Sequence, residues 1–168
     1  IFDPQQTLDA PQALTRLHAR NDANAFYADT PSLGFQRDPA WLLVPIRNTG
    51  EAAERYLVAG RPHTDYLELY LFDADGTLLT HLSHGDRIAW HLRPFDDNEL
   101  IFPIHLPAQQ TVLALFRLES SGALELPTEL HDSTSLLRHK FSRLLFSGLY
   151  FGAILSMVLF NLLLFIAI

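Results

Sequence analysis

From Trp41 onward the apolar residues recur at every second position, the period of a half-buried strand. Residues 41–46, 53–59, 66–72, 78–82, 100–106, 111–119 and 124–130 therefore read as strands. Turn residues separate them: Asn48-Thr49-Gly50, Gly60-Arg61-Pro62, Asp73-Ala74-Asp75-Gly76, Pro107-Ala108-Gln109-Gln110 and Ser120-Ser121-Gly122. Seven short strands with no convincing helix between them predict a mainly β fold, an antiparallel β-sandwich or jelly roll. Pro45 and Pro103 each lack a ladder donor, so their strands are expected at sheet edges or bulges.

The two ends of the chain follow different patterns. Near the start, Asp9 can cap a short helix through Pro11, Ala13, Leu14 and Leu17. Residues 21–39 read as an irregular connection, with Phe26, Tyr27, Leu33 and Phe35 stitching it to the domain. At the other end, residues 144–168 run for twenty-five positions without a charge. A bilayer core needs about 20 apolar residues in a helix, so this stretch is long enough to span. Asp132 or Ser133 can cap a helix containing Leu136, Leu137, Phe141 and Leu144. Continuous to Ile168, it would be about 54 Å long, against a hydrocarbon core of about 30 Å. Its first turns would stand clear of the bilayer as a stalk bracing the sandwich. Four segments follow: a lead-in at 1–31, a β-sandwich at 32–132, a helical stalk at 133–143 and a membrane helix at 144–168.

Within the span, Gly148, Gly152 and Ser156 repeat every four residues, a spacing that lets another helix approach closely. Asn161 is an amide in hydrocarbon, which normally finds a partner on another helix. These residues predict a bundle of further membrane helices, with a homodimer among the options. Because the chain stops inside apolar sequence, it is expected to be a fragment of something longer. It opens without Met or a basic-then-apolar leader, so any signal peptide is expected to have been removed or left out.

Charge narrows the function classes. Nine Arg against nineteen Asp plus Glu before Arg138 gives 9 − 19 = −10, while Arg138, Lys140 and Arg143 flank the span. So acidic a head should repel nucleic acid and anionic lipid, and no nucleic-acid partner is expected. The basic flank alone does not fix the orientation, which depends on comparing both flanks. With no cysteine, thiolate chemistry and Cys-based zinc sites are excluded.

Candidate chemistry is sparse. Asp73-Ala74-Asp75-Gly76 hints at calcium, but His84 stands where a closing Glu would fall, and a hairpin turn explains the residues better. His81, His84 and His91 are weak metal candidates, read instead as solvated loop histidines; no metal or cofactor is expected. There is no organised nucleophile motif, so no catalytic residues are expected. Strand alternation is more informative. One sheet face could offer Trp41, Arg47, Tyr66, Glu68, Tyr70, His105 and Arg117, with Trp90, His91 and Arg93 of 87–97 at its mouth. Aromatic platforms beside hydrogen-bonding charges suit a carbohydrate or another small polar ligand. Two rival readings are a membrane-anchored carbohydrate-active enzyme, a glycosidase starting from Glu68 with Glu99 or Asp96, and an assembly module that binds a partner protein.

The run Gly34-Phe35, then Trp41 through Asn48, resembles the opening of the extracytoplasmic sensor domain, DISM extracellular type 2, of bacterial seven-transmembrane receptors with diverse intracellular signalling modules. The likeness continues through Leu67 to Leu71, the Asp73–Gly76 turn, Gly85-Asp86, Arg93-Pro94, Phe102-Pro103, Leu106-Pro107, the strand from Phe116 to Ser120, and Gly122. Gly148 through Gly152, with Phe160-Asn161, is similar to the start of that family's first membrane helix. The resemblance implies a jelly roll akin to carbohydrate-binding modules. It also implies a bacterial inner-membrane protein with residues 1–143 in the periplasm, whose ligand controls a cytoplasmic histidine kinase or diguanylate cyclase. Leu43 departs from the family pattern, in which a basic residue often stands two positions after the Trp.

Overall fold

A computed structural model describes residues 1–19, 30–95 and 97–167. Residues 20–29, which include Phe26 and Tyr27, and Asp96 lie outside the described residues. The chain divides into two compact units, Ile1–His131 and Asp132–Ile168.

The first unit opens with helix α1 (Ala10–Ala19), followed by strands β1 (Ser32–Phe35), β2 (Ala40–Arg47), β3 (Ala53–Ala59), β4 (Tyr66–Phe72) and β5 (Leu78–His84). A single 3-10 turn (Trp90–Leu92) precedes β6 (Ile101–Leu106), β7 (Thr111–Glu119), β8 (Ala123–Glu125) and β9 (Thr128–His131). The strands form a four-stranded sheet in the order β2-β7-β4-β5, a three-stranded sheet β6-β3-β9 and a small β1-β8 pair. Every pairing is antiparallel, and the two larger sheets enclose one apolar core, as expected of a β-sandwich. Leu67, Leu69 and Leu71 of β4 point into that core with Phe102, Ile104, Phe116 and Leu118, all at most 2% exposed.

Both proline-bearing strands are sheet edges: β2 carries Pro45 and β6 carries Pro103. The Asp73–Gly76 stretch is a hairpin turn. Asp73 Oδ1 accepts the N–H groups of Asp75 at 3.0 Å and Thr77 at 2.7 Å, which closes the turn. One expected strand proves to be two. Residues 124–130 break at Leu126-Pro127 because proline cannot donate to a ladder, and β8 and β9 then join different sheets.

An expected lead-in proves to be a cover. Asp9 caps α1 through a reciprocal pair, its Oδ1 accepting Gln12 N–H at 2.8 Å while Gln12 Oε1 accepts Asp9 N–H at 3.4 Å. The apolar stripe of Ala10, Ala13 and Leu14 packs with Trp41, Phe72, Leu113 and Leu115, a second core on the outer side of the four-stranded sheet. That sheet is thus covered on both faces.

The second unit is the helix α2, Ser133–Ala167, unbroken for 35 residues. Asp132 Oδ1 caps it by accepting Ser135 N–H at 2.7 Å, and Ser135 Oγ accepts Asp132 N–H at 2.9 Å. It is long and apolar enough to cross a membrane, and none of its most apolar window is buried within the protein.

Candidate functional site

Antiparallel register places two rows of side chains side by side on the outer face of the four-stranded sheet. Trp41 pairs with Arg117, Arg117 with Glu68, and Glu68 with Ser83. In the next row on that face, Leu43, Leu115, Tyr70 and His81 align in the same way. Period-two alternation therefore carries Trp41, Glu68, Tyr70 and Arg117 to one place.

Their geometry is a connected polar cluster. Arg117 sends one nitrogen to Glu68 and another to Glu119, each at 3.4 Å. The Tyr70 hydroxyl donates to Glu68 at 3.3 Å. His81 stacks on Tyr70, with centroids 4.2 Å apart and planes 7° from parallel, and its Nε2 lies 4.0 Å from Glu68. Trp41 meets Tyr70 at 5.9 Å. Burial, then the Glu68 carboxylate, pushes the Tyr70 hydroxyl above its ordinary pKa, so it stays a proton donor at neutral pH.

The other wall comes from the lead-in. Asp3, 4% exposed, accepts Thr7 N–H at 3.1 Å and Leu8 N–H at 3.0 Å, and its own N–H bonds the Pro39 carbonyl at 2.9 Å. Burial alone would raise this carboxyl. The Leu8 and Thr7 donors, the Trp41 indole and the Arg117 charge outweigh it and hold the group below its usual range. Asp3 thereby fixes the strap that carries Gln6 and Leu8. Between this strap and the sheet lies a cleft of about 530 Å³, within the usual range of small-ligand sites. Gln6, Leu8, Asp9, Ala10 and Pro11 line one side, and Trp41, Glu68, Tyr70, Phe72, Leu78 and Arg117 the other.

Four of the expected ligand residues therefore line one cleft, and the rest do not. His105 is not on this face at all. It belongs to β6 of the other sheet, where it meets Glu54 at 2.8 Å. Alternation gives the face of a strand but not the sheet it joins, hence the correction. Arg47 ends β2 and Tyr66 begins β4, and neither lines the cleft. Trp90 and Arg93 pair with each other in the loop before β6, with the guanidinium 4.7 Å above the ring. Trp41, at 1% exposure, is a floor under α1 and not an open stacking platform.

The three histidines do not converge. His81 faces Glu68, and His91 is exposed on the 3-10 turn. His84 overturns its reading as a solvated loop residue: it ends β5 fully buried, edge-on to Phe102 at 5.7 Å. Its Nδ1 accepts Gly85 N–H at 2.9 Å, which assigns the remaining proton to Nε2, an atom with no hydrogen-bond partner. Sequence reasoning also missed Asp3 and the strap. Their part depends on contacts with Pro39 and Trp41, far along the chain, and no local motif announces it.

On the membrane helix, Ser156 Oγ donates to the Gly152 carbonyl at 2.9 Å and Asn161 Nδ2 to the Met157 carbonyl at 2.8 Å. That bond takes one of the two N–H groups of the Asn161 amide within its own turn of α2.

The sequence profile of the family described as 7TMR-DISM extracellular 2 matches residues 1–132. No curated protein matches the chain. With the sandwich, the covered sheet face and the apolar helix in place, the chain belongs to the 7TMR-DISM extracellular 2 family, an extracellular sensor domain of a membrane receptor followed by a helix able to cross the bilayer.

Proposed function

We propose that this chain is the periplasmic input domain of a bacterial inner-membrane receptor, and that its cleft takes a carbohydrate or another small, polar, uncharged ligand. The observation that carries this reading is the cleft itself. Glu68, Tyr70 and Arg117 place acceptor and donor groups beside the half-buried Leu8 and the exposed Leu78, the mix that a sugar's hydroxyls and C–H face require. Arg117 is flanked by two carboxylates, so an anionic ligand would meet net negative charge. Occupancy would bias α2 and, through further membrane helices or a second copy, a cytoplasmic histidine kinase or diguanylate cyclase.

Calorimetry with the whole chain in lipid nanodiscs and a panel of neutral sugars tests the site. Arg117→Met should weaken binding by about tenfold or more, since it removes a charged donor worth roughly 1.5–3 kcal/mol. Arg47→Met, outside the cleft, should leave affinity within about twofold, within the scatter of ordinary surface substitutions. Equal losses from both variants, or no heat with any sugar, would reject the cleft.

Coupling makes a separate prediction. A Cβ added at Gly148 or Gly152 meets nothing within 4 Å, so that side of α2 is open to a neighbour. In the full receptor, Gly152→Leu should abolish ligand-dependent output while calorimetric binding to the sensor is retained. Unchanged output would mean that this helix face carries no signal.

A further inference from the structure

The strap that walls the cleft is held in a costly backbone shape at one residue. Gln6 has φ +52°, a left-handed conformation that residues other than glycine, asparagine and aspartate rarely adopt. Its N–H closes a turn on the Asp3 carbonyl at 3.0 Å, and the buried Asp3 carboxylate grips the next two N–H groups, those of Thr7 and Leu8. Bonds on both sides over-determine the conformation, which is what lets such strain persist. Glycine would take the same turn at less cost, so what the strain holds in place is a side chain.

Gln6 lines the cleft and is exposed there. Its polar neighbours are engaged with one another. Glu68 receives the Tyr70 hydroxyl and Arg117, Arg117 lies between Glu68 and Glu119, and Asp9 accepts the Gln12 N–H. Trp41 is buried beside Asp3. Leu8, Ala10 and Pro11 carry no polar side chain. Among the described residues the Gln6 amide makes no hydrogen bond within the protein, and no other unengaged side chain lining the cleft is uncharged and able both to donate and to accept.

We infer that Gln6 sets the specificity of the cleft, reading two neighbouring hydroxyls of a neutral ligand by donating an N–H to one and accepting the O–H of the other. The oxygen and nitrogen of an amide stand side by side, which suits adjacent hydroxyls on one ring. A ligand lacking one of the pair leaves half of the amide unpaired. The inference rests on the cleft being the ligand site, and adds which part of the ligand is read.

The test is calorimetry of the whole chain in lipid nanodiscs with the methyl glycosides of glucose, galactose and mannose, each beside its single-deoxy analogues. For the sugar that binds, loss of either hydroxyl of one adjacent pair should weaken wild-type affinity about fivefold or more. Gln6→Gly eases the backbone and removes the amide. It should melt no lower than wild type, yet bind that sugar and both analogues within about twofold of one another. A uniform loss that keeps the wild-type preference overturns the inference and leaves the cleft standing, because the strap's rigidity is then all that Gln6 supplies. A melting temperature well below wild type also overturns it, by making Gln6 a structural residue. No heat from any sugar, or full affinity in Arg117→Met, rejects the cleft and this inference together.

Discussion

Gly85→Ala should unfold the sensor domain at ordinary temperatures, or come close to it. A Cβ at this position would sit 2.2 Å from the Asp65 carbonyl oxygen and 2.9 Å from its carbon, both backbone atoms that no rotamer change can move. The residue also has φ +141°, which L side chains rarely adopt. The neighbouring backbone has little freedom to retreat. Asp86 N–H bonds the Thr64 carbonyl at 2.9 Å, Arg87 N–H bonds the Asp65 carbonyl at 3.3 Å, and the β4–β5 ladder begins at Leu67 and His84. Conformational strain and overpacking add, for a loss of about 3–5 kcal/mol against a total stability of about 5–15 kcal/mol. Gly76→Ala is the contrast. Its φ is +84° but nothing lies within 4 Å of the added carbon, so only the left-handed strain of about 1–2 kcal/mol applies. Thermal unfolding of the detergent-solubilised chain, followed by near-ultraviolet dichroism, separates the two. Equal melting temperatures for Gly85→Ala and Gly76→Ala would refute the steric account.

The second large effect is a loss of stability on mild acidification. Burial first, and then the Arg93 charge, holds His84 down at about pKa 4 against an ordinary 6.5, with Asp97 pulling weakly the other way. The unfolded chain binds this proton below about pH 6.5 and the folded one only below about 4. Between those values the unfolded state holds more protons, so stability is full above about pH 6.5 and declines toward 4. The decline should amount to about 1–3 kcal/mol. Asp3 does not share the window: its depressed pKa makes its contribution persist down to 3.8 and fade below that. Denaturant midpoints measured from pH 7 to 4 should fall for the wild type. For His84→Asn they should stay nearly flat, because the amide oxygen can take the Gly85 N–H in place of Nδ1 without titrating. A wild-type slope that survives this substitution would place the titration elsewhere.

What could be read from the sequence was what depends on local period and on proline. The strands carrying Leu67, Leu69, Leu71 and Phe116, the edge positions of Pro45 and Pro103, the Asp73 turn and the uninterrupted final helix were all legible. What failed was the choice among equivalent partners. Alternation in β6 looks the same whichever sheet it joins, so His105 was grouped with Tyr70 although a core separates their sheets. Pro127 did carry a usable signal, since a proline inside 124–130 already argued against one continuous strand. His84 had none, because the fourth polar residue of a Thr-His-Leu-Ser-His run reads as solvated until Phe102 arrives from another strand. The candidate site was half visible for the same reason. Trp41, Glu68, Tyr70 and Arg117 share a face by period, whereas the wall that makes them a cleft comes from residues 3–11 by tertiary contact.

Pro45 and Pro103 have one more implication, for how copies of the receptor can meet. A second sandwich cannot zip onto the β2 or β6 margin through an unbroken run of rungs, because each margin has a position with no hydrogen to offer. Crowding these heads together should therefore not seed fibrils along those two borders.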